Sequence, residues 1–155
     1  MTRTDFADLI ATVTGRIQGK AVDGQLEDEL NHAYPPESQV FLELRDACRE
    51  GIAAGWMCQQ GEAGRRYGRV LEPTDATHRL SVDVVEIDDL AGPHHRHPNG
   101  EICLVLPESA SATFDGRGAG WVVYGPGTGH RPTVRGGKAV ILYMLPEGAI
   151  DFTRT

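Results

Sequence analysis

The stretch that decides the fold is AGPHHRHPNGEICLVLP, residues 91–107. Three of the six histidines of the chain fall within four consecutive positions here, and a Pro-Asn-Gly turn signal separates them from Glu101. Since residues two apart in a strand point to the same face, His95 and His97 should project together and Arg96 should point away. The apolar run after Glu101 is typical of a buried strand.

Four residues of the chain, three of them in this stretch, are candidate ligands for one metal ion. The turn brings Glu101 within reach of the two same-face histidines, and His130, which follows a Gly-Pro-Gly turn in YGPGTGHRPTV, can return to the same space. Three imidazole nitrogens and one carboxylate oxygen suit a divalent first-row transition metal, with positions left for water or substrate. The sequence therefore predicts a metal site of His95, His97, Glu101 and His130, with Fe, Mn and Zn all open.

Other histidines and cysteines are open to simpler interpretations. Isolated histidines such as His32 and His78 are more often surface or hydrogen-bonded residues than metal ligands. By strand alternation His94 should face away from His95, so we expect it beside the ligands or at the surface. Cys103 shares the face of Glu101 and is best interpreted as a small buried side chain.

Strand signals spread outward from this stretch over residues 56–155. Short segments rich in Val, Ile and Tyr alternate there with Gly and Pro. The predicted strands are RRYGRVLE (65–72), HRLSVDVVEI (78–87), EICLVLP (101–107), GWVVYG (120–125) and KAVILYML (138–145). This spacing favours an antiparallel sandwich or barrel.

Residues 1–55 have a helical pattern instead. Apolar residues recur at helical spacing after Asp5, which we expect to be the N-cap of the first helix. A second helix is predicted over Asp23–Ala33 and a third over Glu37–Ala54, with Gly55 placed to end it. We interpret these helices as a cap or dimer surface without chemistry, in a chain that forms one domain over residues 1–155.

Composition excludes several classes of function. The chain is 40% hydrophobic and 24% charged, as is ordinary for a globular protein, and its net charge of -7 with scattered basic residues argues against nucleic acid as a partner. The longest apolar run, residues 139–145, is too short to span a membrane. The amino terminus lacks a secretion signal and the three cysteines form no CxxC pair, so we expect a cytoplasmic protein with reduced thiols.

Two motifs resemble those of cupins. HHRHPNGE resembles the HxHxxxE part of the first cupin motif through His95, His97 and Glu101. GWVVYGPGTGH resembles the second motif through Gly120, Pro126, Gly127 and His130. This resemblance implies a mainly β fold with some α structure, in which an N-terminal helical segment precedes a cupin-like antiparallel β-barrel.

A wider resemblance covers nearly the whole chain. RYGRVLEP, FDGRGAGWVVYGPGTGHRPTV and ILYMLPEGAIDF are similar to the 4-hydroxylaminobenzoate lyases of bacterial nitroaromatic degradation, a cupin-like family. The resemblance implies a metal-dependent carbon-nitrogen lyase that converts 4-hydroxylaminobenzoate to 3,4-dihydroxybenzoate with release of ammonia. It also implies a homodimer.

An aromatic carboxylate substrate needs a cationic partner, and the arginine fork suits that group. Arg69 and Arg131 are predicted substrate-binding residues, whereas Arg96 should face away from the metal. Arg69 lies in a predicted strand, where an inward-pointing guanidinium requires an anion, although an outward, solvated arginine is the more common case.

Aromatic side chains and proton donors complete the expected site. Tyr67, Tyr124 and Trp121 are candidates to contact the substrate ring, with ordinary core packing as the competing interpretation; we select Tyr67 and Tyr124. His78 and Glu86 are the expected catalytic residues, as proton donors to the departing nitrogen.

Two other functions fit the same four ligands. A cupin dioxygenase or isomerase acting on a small aromatic substrate would use an identical set, and so would a non-enzymatic cupin that binds a small molecule. The sequence contains no GxGxxG after a strand and no GxxxxGK[ST], so neither a dinucleotide nor a nucleotide cofactor is expected.

Overall fold

The computed structural model describes residues 1–153. Three helices occupy the N-terminal third: α1 (Arg3–Ile17), α2 (Gly24–Ala33) and α3 (Gln39–Ala54). Each is capped by a side chain, because Asp23 and Ser38 accept backbone N–H groups at the starts of α2 and α3. The predicted cap of α1 was wrong, since Thr2 is the N-cap and Asp5 closes the reciprocal half of a capping box.

The remainder is β structure, with every strand pairing antiparallel. The strands are β1 (Gln60–Glu62), β2 (Arg65–Leu71), β3 (Leu80–Asp88), β4 (His95–His97), β5 (Glu101–Pro107), β6 (Thr113–Phe114), β7 (Gly120–Tyr124), β8 (Thr128–His130), β9 (Val134–Arg135), β10 (Lys138–Pro146) and β11 (Asp151–Phe152). The five longest match the five strand segments predicted from the sequence.

The strands form one large sheet and two small ones. The large sheet has the order β1-β2-β3-β10-β5-β7, and the small sheets have the orders β11-β4-β8 and β6-β9. The predicted fold class, mainly antiparallel β with an N-terminal helical segment, is therefore confirmed.

The large sheet separates two apolar clusters. On one face, Leu104 and Leu142 pack with the helices, and on the other, Val105 and Ile141 pack with Phe114 of the small β6-β9 sheet. Strand alternation explains this division, because successive residues of β5 and β10 point to opposite faces. The central strands are thus buried on both sides.

Helix α2 fixes the edge strand β7. The Asn31 side chain accepts from the Trp121 backbone N–H at 2.8 Å and donates to the Trp121 carbonyl at 2.9 Å. The Trp121 indole donates to the Tyr34 carbonyl at 3.0 Å. Since β7 pairs with β5, these bonds support the strand that begins with Glu101. Within residues 1–153, no helix is both long enough and apolar enough to cross a membrane.

Candidate metal centre

Two short strands and one long strand bring the four predicted ligands together. His95 and His97 are buried on one face of β4 while Arg96 is exposed, as alternation predicted. Strand β8 pairs with β4 so that His130 lies directly opposite His95. Glu101, the first residue of β5, is fully buried.

The turn between β4 and β5 requires glycine. Gly100 has a φ of 89°, and a Cβ at this position would lie 2.7 Å from the Val22 side chain and 2.9 Å from the Tyr124 carbonyl oxygen. The sharp turn that this glycine allows places Glu101 beneath the two histidines of β4.

The ligand atoms converge. His95 Nε2 and His97 Nε2 each lie 3.2 Å from Glu101 Oε2, and His130 Nε2 lies 3.4 Å from Glu101 Oε1. All four potential donor atoms lie within 4.8 Å of one another. The donor types and their convergence fit a divalent transition metal.

His97 provides a further test of that fit. Its Nδ1 is 3.1 Å from the Thr128 hydroxyl, which orients the ring, whereas its Nε2, although 3.2 Å from Glu101 Oε2, is buried without a well-aligned hydrogen bond among residues 1–153. A buried polar atom without a partner is costly. Because that atom points at the other three donors, a metal ion would satisfy it.

Asp115 orients the third histidine. Its Oδ2 lies 2.6 Å from His130 Nδ1 and accepts the Tyr124 hydroxyl at 2.5 Å, while its Oδ1 accepts the Thr133 N–H at 2.9 Å. With the Nδ1 proton directed to Asp115, the Nε2 lone pair of His130 faces the cluster. Asp115 was not among the predicted site residues, because it lies in an ordinary Asp-Gly turn signal.

The charges of the cluster follow from these contacts. Burial favours the neutral form of Glu101, but hydrogen bonding from His130 and His95 outweighs it and holds the pKa of Glu101 well below its usual range. Burial lowers the pKa of His130, yet Asp115 and Glu101 together raise that pKa to about 9. Because a metal ion binds the deprotonated nitrogen, metal binding at His130 would compete with the proton that these carboxylates favour.

Cys103 is fully buried on the same face of β5 as Glu101, as expected of a small buried side chain. Its Sγ donates to Glu101 Oε1 at 3.0 Å. Burial, reinforced by the Glu101 charge, raises the pKa of this thiol well above its usual range, so the thiol keeps its proton. Cys103 thus acts as a hydrogen-bond donor to a ligand carboxylate.

A cavity of about 200 Å³ opens beside the cluster. Two of the ligands, His95 and Glu101, are in its wall, together with Tyr143, whose ring centroid is 6.3 Å from that of His95. Ligand pockets commonly measure roughly 300–1,000 Å³, so this smaller space suits a ligand with a single ring. The rest of the wall is largely apolar.

Strand β2 contributes a polar row to the same cavity. Arg65, Tyr67 and Arg69 alternate along it and all line the space. Tyr67, which we predicted to contact the substrate ring, therefore lies in the wall of this cavity. Arg65 was missed, although the alternation that was applied to His95 and His97 would have found it.

The predicted carboxylate-binding arginines have protein partners. Arg69 lines the cavity, but its Nε donates to Asp83 Oδ1 at 2.7 Å and its guanidinium also donates to the Gly148 carbonyl at 3.2 Å. Arg131 donates to the Gly92 carbonyl at 3.2 Å. Arg96 donates to the Gly127 carbonyl at 2.6 Å, away from the cluster.

The predicted aromatic residues divide between site and core. The Tyr124 ring stacks on His97, with centroids 5.6 Å apart, and its hydroxyl donates to Asp115, the partner of His130, so it contacts the surroundings of two candidate ligands. Trp121 is buried in the helix-facing cluster, as the packing interpretation expected.

The two expected proton donors do not reach the cluster. His78 Nδ1 is 2.8 Å from the Thr14 hydroxyl, so its ring packs on α1 at the helical side of the molecule. Glu86 alternates with Val85 and Ile87, which line the cavity, and its carboxylate faces Lys138 Nζ at 3.8 Å on the opposite face. The structure therefore corrects both assignments. His94 contacts the Thr153 hydroxyl and is not turned toward the ligands.

Comparison with known proteins shows what the chain resembles. A family model described as "PnbB: 4-hydroxylaminobenzoate lyase" matches residues 8–152. A 4-hydroxylaminobenzoate lyase from Nocardioides sp. (strain LMS-CY) is 30% identical, with 99% of this chain and 96% of that protein covered. A lyase of the same name from Pseudomonas putida is 28% identical, covering 97% and 95%. Both similarities include the helical segment.

Solved structures show more distant similarity. The E162A mutant of Bacillus subtilis oxalate decarboxylase is 15% identical with a TM-score of 0.47, over 63% of this chain and 31% of that one. The polyketide cyclase RemF from Streptomyces resistomycificus is 13% identical with a TM-score of 0.44, over 60% of this chain and 73% of that one.

Proposed function

Because the chain belongs to the 4-hydroxylaminobenzoate lyase family, we propose that it is a metal-dependent carbon-nitrogen lyase acting on 4-hydroxylaminobenzoate. The products would be 3,4-dihydroxybenzoate and ammonia. The observation that carries the proposal is the convergence of three histidines and Glu101 at the wall of a cavity sized for one ring.

The proposed reaction balances without an external oxidant or reductant. The N–O bond of the substrate breaks, the C–N bond is replaced by a C–O bond at the same ring carbon, a C–H bond at the neighbouring ring carbon is replaced by a second C–O bond, and one water molecule is consumed. The nitrogen gains two electrons on becoming ammonia, and the neighbouring ring carbon, which exchanges C–H for C–O, loses two. This chemistry fits a sequence that lacks dinucleotide-binding motifs.

Each group near the cavity has a distinct proposed role. His95, His97, Glu101 and His130 would hold the ion, which when bound supplies Lewis acidity beside the substrate. Tyr67 would contact the ring. Burial, followed by the Glu101 charge, raises the pKa of Tyr143 well above its usual range, so its hydroxyl remains protonated at the cavity wall and would donate to the departing nitrogen or oxygen.

The decisive experiment is an anaerobic turnover assay with metal-analysed protein. We expect equal amounts of ammonia and 3,4-dihydroxybenzoate from 4-hydroxylaminobenzoate, with both products lost on chelation and in His97→Ala. A dependence of product on O₂ would instead place the same ligands in a dioxygenase. Full turnover by protein that elemental analysis shows to be metal-free would reject the metal-dependent mechanism.

Two matched variants refine the assay. Asp115→Asn should impair metal binding, whereas Asp89→Asn, which alters a surface carboxylate bonded only to the Gly136 N–H among the described residues, should not.

The homodimer implied by the sequence resemblance also stays a prediction, to be tested by sedimentation of the purified protein.

A further inference from the structure

We propose that the Arg65 guanidinium binds the carboxylate of the aromatic substrate and thereby restricts the site to arenes that carry an anionic group. This inference rests on the proposed lyase function and adds a specificity-determining residue to it. It takes the place of Arg69 and Arg131, which were the predicted carboxylate-binding residues.

Arg65 is in the same cavity as the metal ligands. It is the first residue of β2 and lines the space with His95 and Glu101. The Gly92 backbone, three residues before His95, passes so close that a Cβ there would lie 3.4 Å from Arg65 Nε. The guanidinium therefore lies near the chain segment that leads into the metal centre.

The charge of Arg65 has no carboxylate within ion-pair distance in the part of the chain that the structure describes, residues 1–153. Arg69, four residues further along β2 on the same face, lies 2.7 Å from Asp83 and 3.7 Å from Glu72. Arg65 is half-buried in a wall that is mostly apolar, an environment in which a cation favours an anionic partner. A bound carboxylate would supply that partner.

Tyr67 holds the guanidinium in place. The Arg65 Cζ lies 4.4 Å from the Tyr67 ring centroid, in a cation–π contact. A guanidinium that stacks through its face leaves its N–H edge for hydrogen bonds, and that edge matches a carboxylate with two parallel bonds. Stacking also reduces the conformational freedom that binding would otherwise remove.

The remaining wall matches the rest of the ligand. Val85, Ile87 and Phe152 provide apolar surface in the same cavity of about 200 Å³, which this guanidinium, His95 and Glu101 also line. A para-substituted benzoate has the same three parts: a carboxylate, an apolar ring and a group that reacts. The cavity thus offers one complementary surface for each part of the substrate.

The test measures binding of the carboxylate separately from turnover of the substrate. Calorimetric titration of the metal-loaded protein with benzoate measures carboxylate binding without any reaction. We expect Arg65→Gln to weaken benzoate binding, and to raise KM for 4-hydroxylaminobenzoate, by about 10- to 100-fold, as for loss of a charge-assisted hydrogen-bonded pair. Turnover of phenylhydroxylamine, which lacks the carboxylate, should change less than threefold.

Arg66→Gln is the matched control, since its exposed side chain points to the opposite face of the same strand. It should leave benzoate binding unchanged. Arg65→Lys keeps the positive charge but loses the two parallel N–H donors of the guanidinium, so we expect an intermediate benzoate affinity. This variant replaces Arg65→Gln in the test if Arg65→Gln fails to fold. Unchanged benzoate affinity in Arg65→Gln, or no benzoate binding by the unaltered protein, would overturn the proposal. Benzoate binding that depends on Arg65 without any ammonia release would support the anchor and reject the lyase function.

Discussion

Replacing Asp115 by Asn removes a charge beside the metal centre while preserving the shape of the side chain. Asp115 has a φ of 50°, in the left-handed region that Asn also tolerates, so the backbone conformation should persist. The carboxylate accepts from three donors: His130 Nδ1, the Tyr124 hydroxyl and the Thr133 N–H. An amide oxygen cannot replace both carboxylate oxygens.

The substitution should change which ring nitrogen of His130 carries the proton. If the Asn oxygen keeps the Thr133 N–H, its NH₂ group faces His130 Nδ1, which must then accept a hydrogen bond and move its proton to Nε2. That nitrogen is the predicted metal ligand. Loss of a partner that orients a ligand typically weakens metal binding by about 10- to 100-fold. This range corresponds to about 1.4–2.7 kcal/mol of metal-binding free energy.

Competition with a chromophoric chelator measures the metal dissociation constant directly. We expect Asp115→Asn to raise it by the stated factor, while turnover recovers in part when excess metal is supplied. Asp89→Asn is the matched control, because Asp89 also has a left-handed φ, of 48°, and accepts a backbone N–H but contacts none of the four ligands. Equal metal affinity in Asp115→Asn and the unaltered protein would refute the argument that Asp115 sets the tautomer.

Three further perturbations test the fold and the site. Gly120→Ala should destabilise the protein by about 1–3 kcal/mol in chemical denaturation, because Gly120 has a φ of 140° and a Cβ would lie 2.9 Å from Asn31 Oδ1; Gly118→Ala, with open space around it, should change little. Leu142→Ala should cost about 2–5 kcal/mol by the same measurement, since this fully buried residue lies on the central strand β10. If free metal stands at about 100 times its dissociation constant, chelation should remove about 2.7 kcal/mol of stability in scanning calorimetry, and the absence of any shift would argue against a metal site.

Periodic signals predicted the long elements well. The five long strands and all three helices carry enough residues for alternation or helical spacing to be visible, and α2 begins within one residue of the predicted start. The short strands β6, β9 and β11 have two residues each, too few for any period. They exist because neighbouring chain segments pair with them, which is information that local sequence does not contain.

The meeting of the candidate metal ligands was predictable from local sequence, unlike the rest of the site. His95, His97 and Glu101 lie within seven positions, so strand alternation and one turn determine their meeting. Asp115 and Tyr143 reach the site through tertiary packing and have no local signal. Glu86 shows the limit of choosing residues by type, because its position in β3 directs it to the face opposite the cavity.

The buried metal-ligand carboxylate and the proposed substrate-binding residues lie on different strands. The carboxylate ligand begins the buried strand β5, which is held on both sides by β10 and β7, so its position is fixed by the core. Arg65 and Tyr67 lie instead on β2, near the edge of the large sheet, and Phe152 lies on the edge strand β11 with 60% of its surface exposed. Edge strands tolerate substitution better than doubly buried ones because fewer neighbours must repack. Changes in β2 should therefore alter which arene is accepted while the metal affinity of the centre remains the same, whereas changes in β11, which pairs with the ligand strand β4 and packs Phe152 against His95, should alter both.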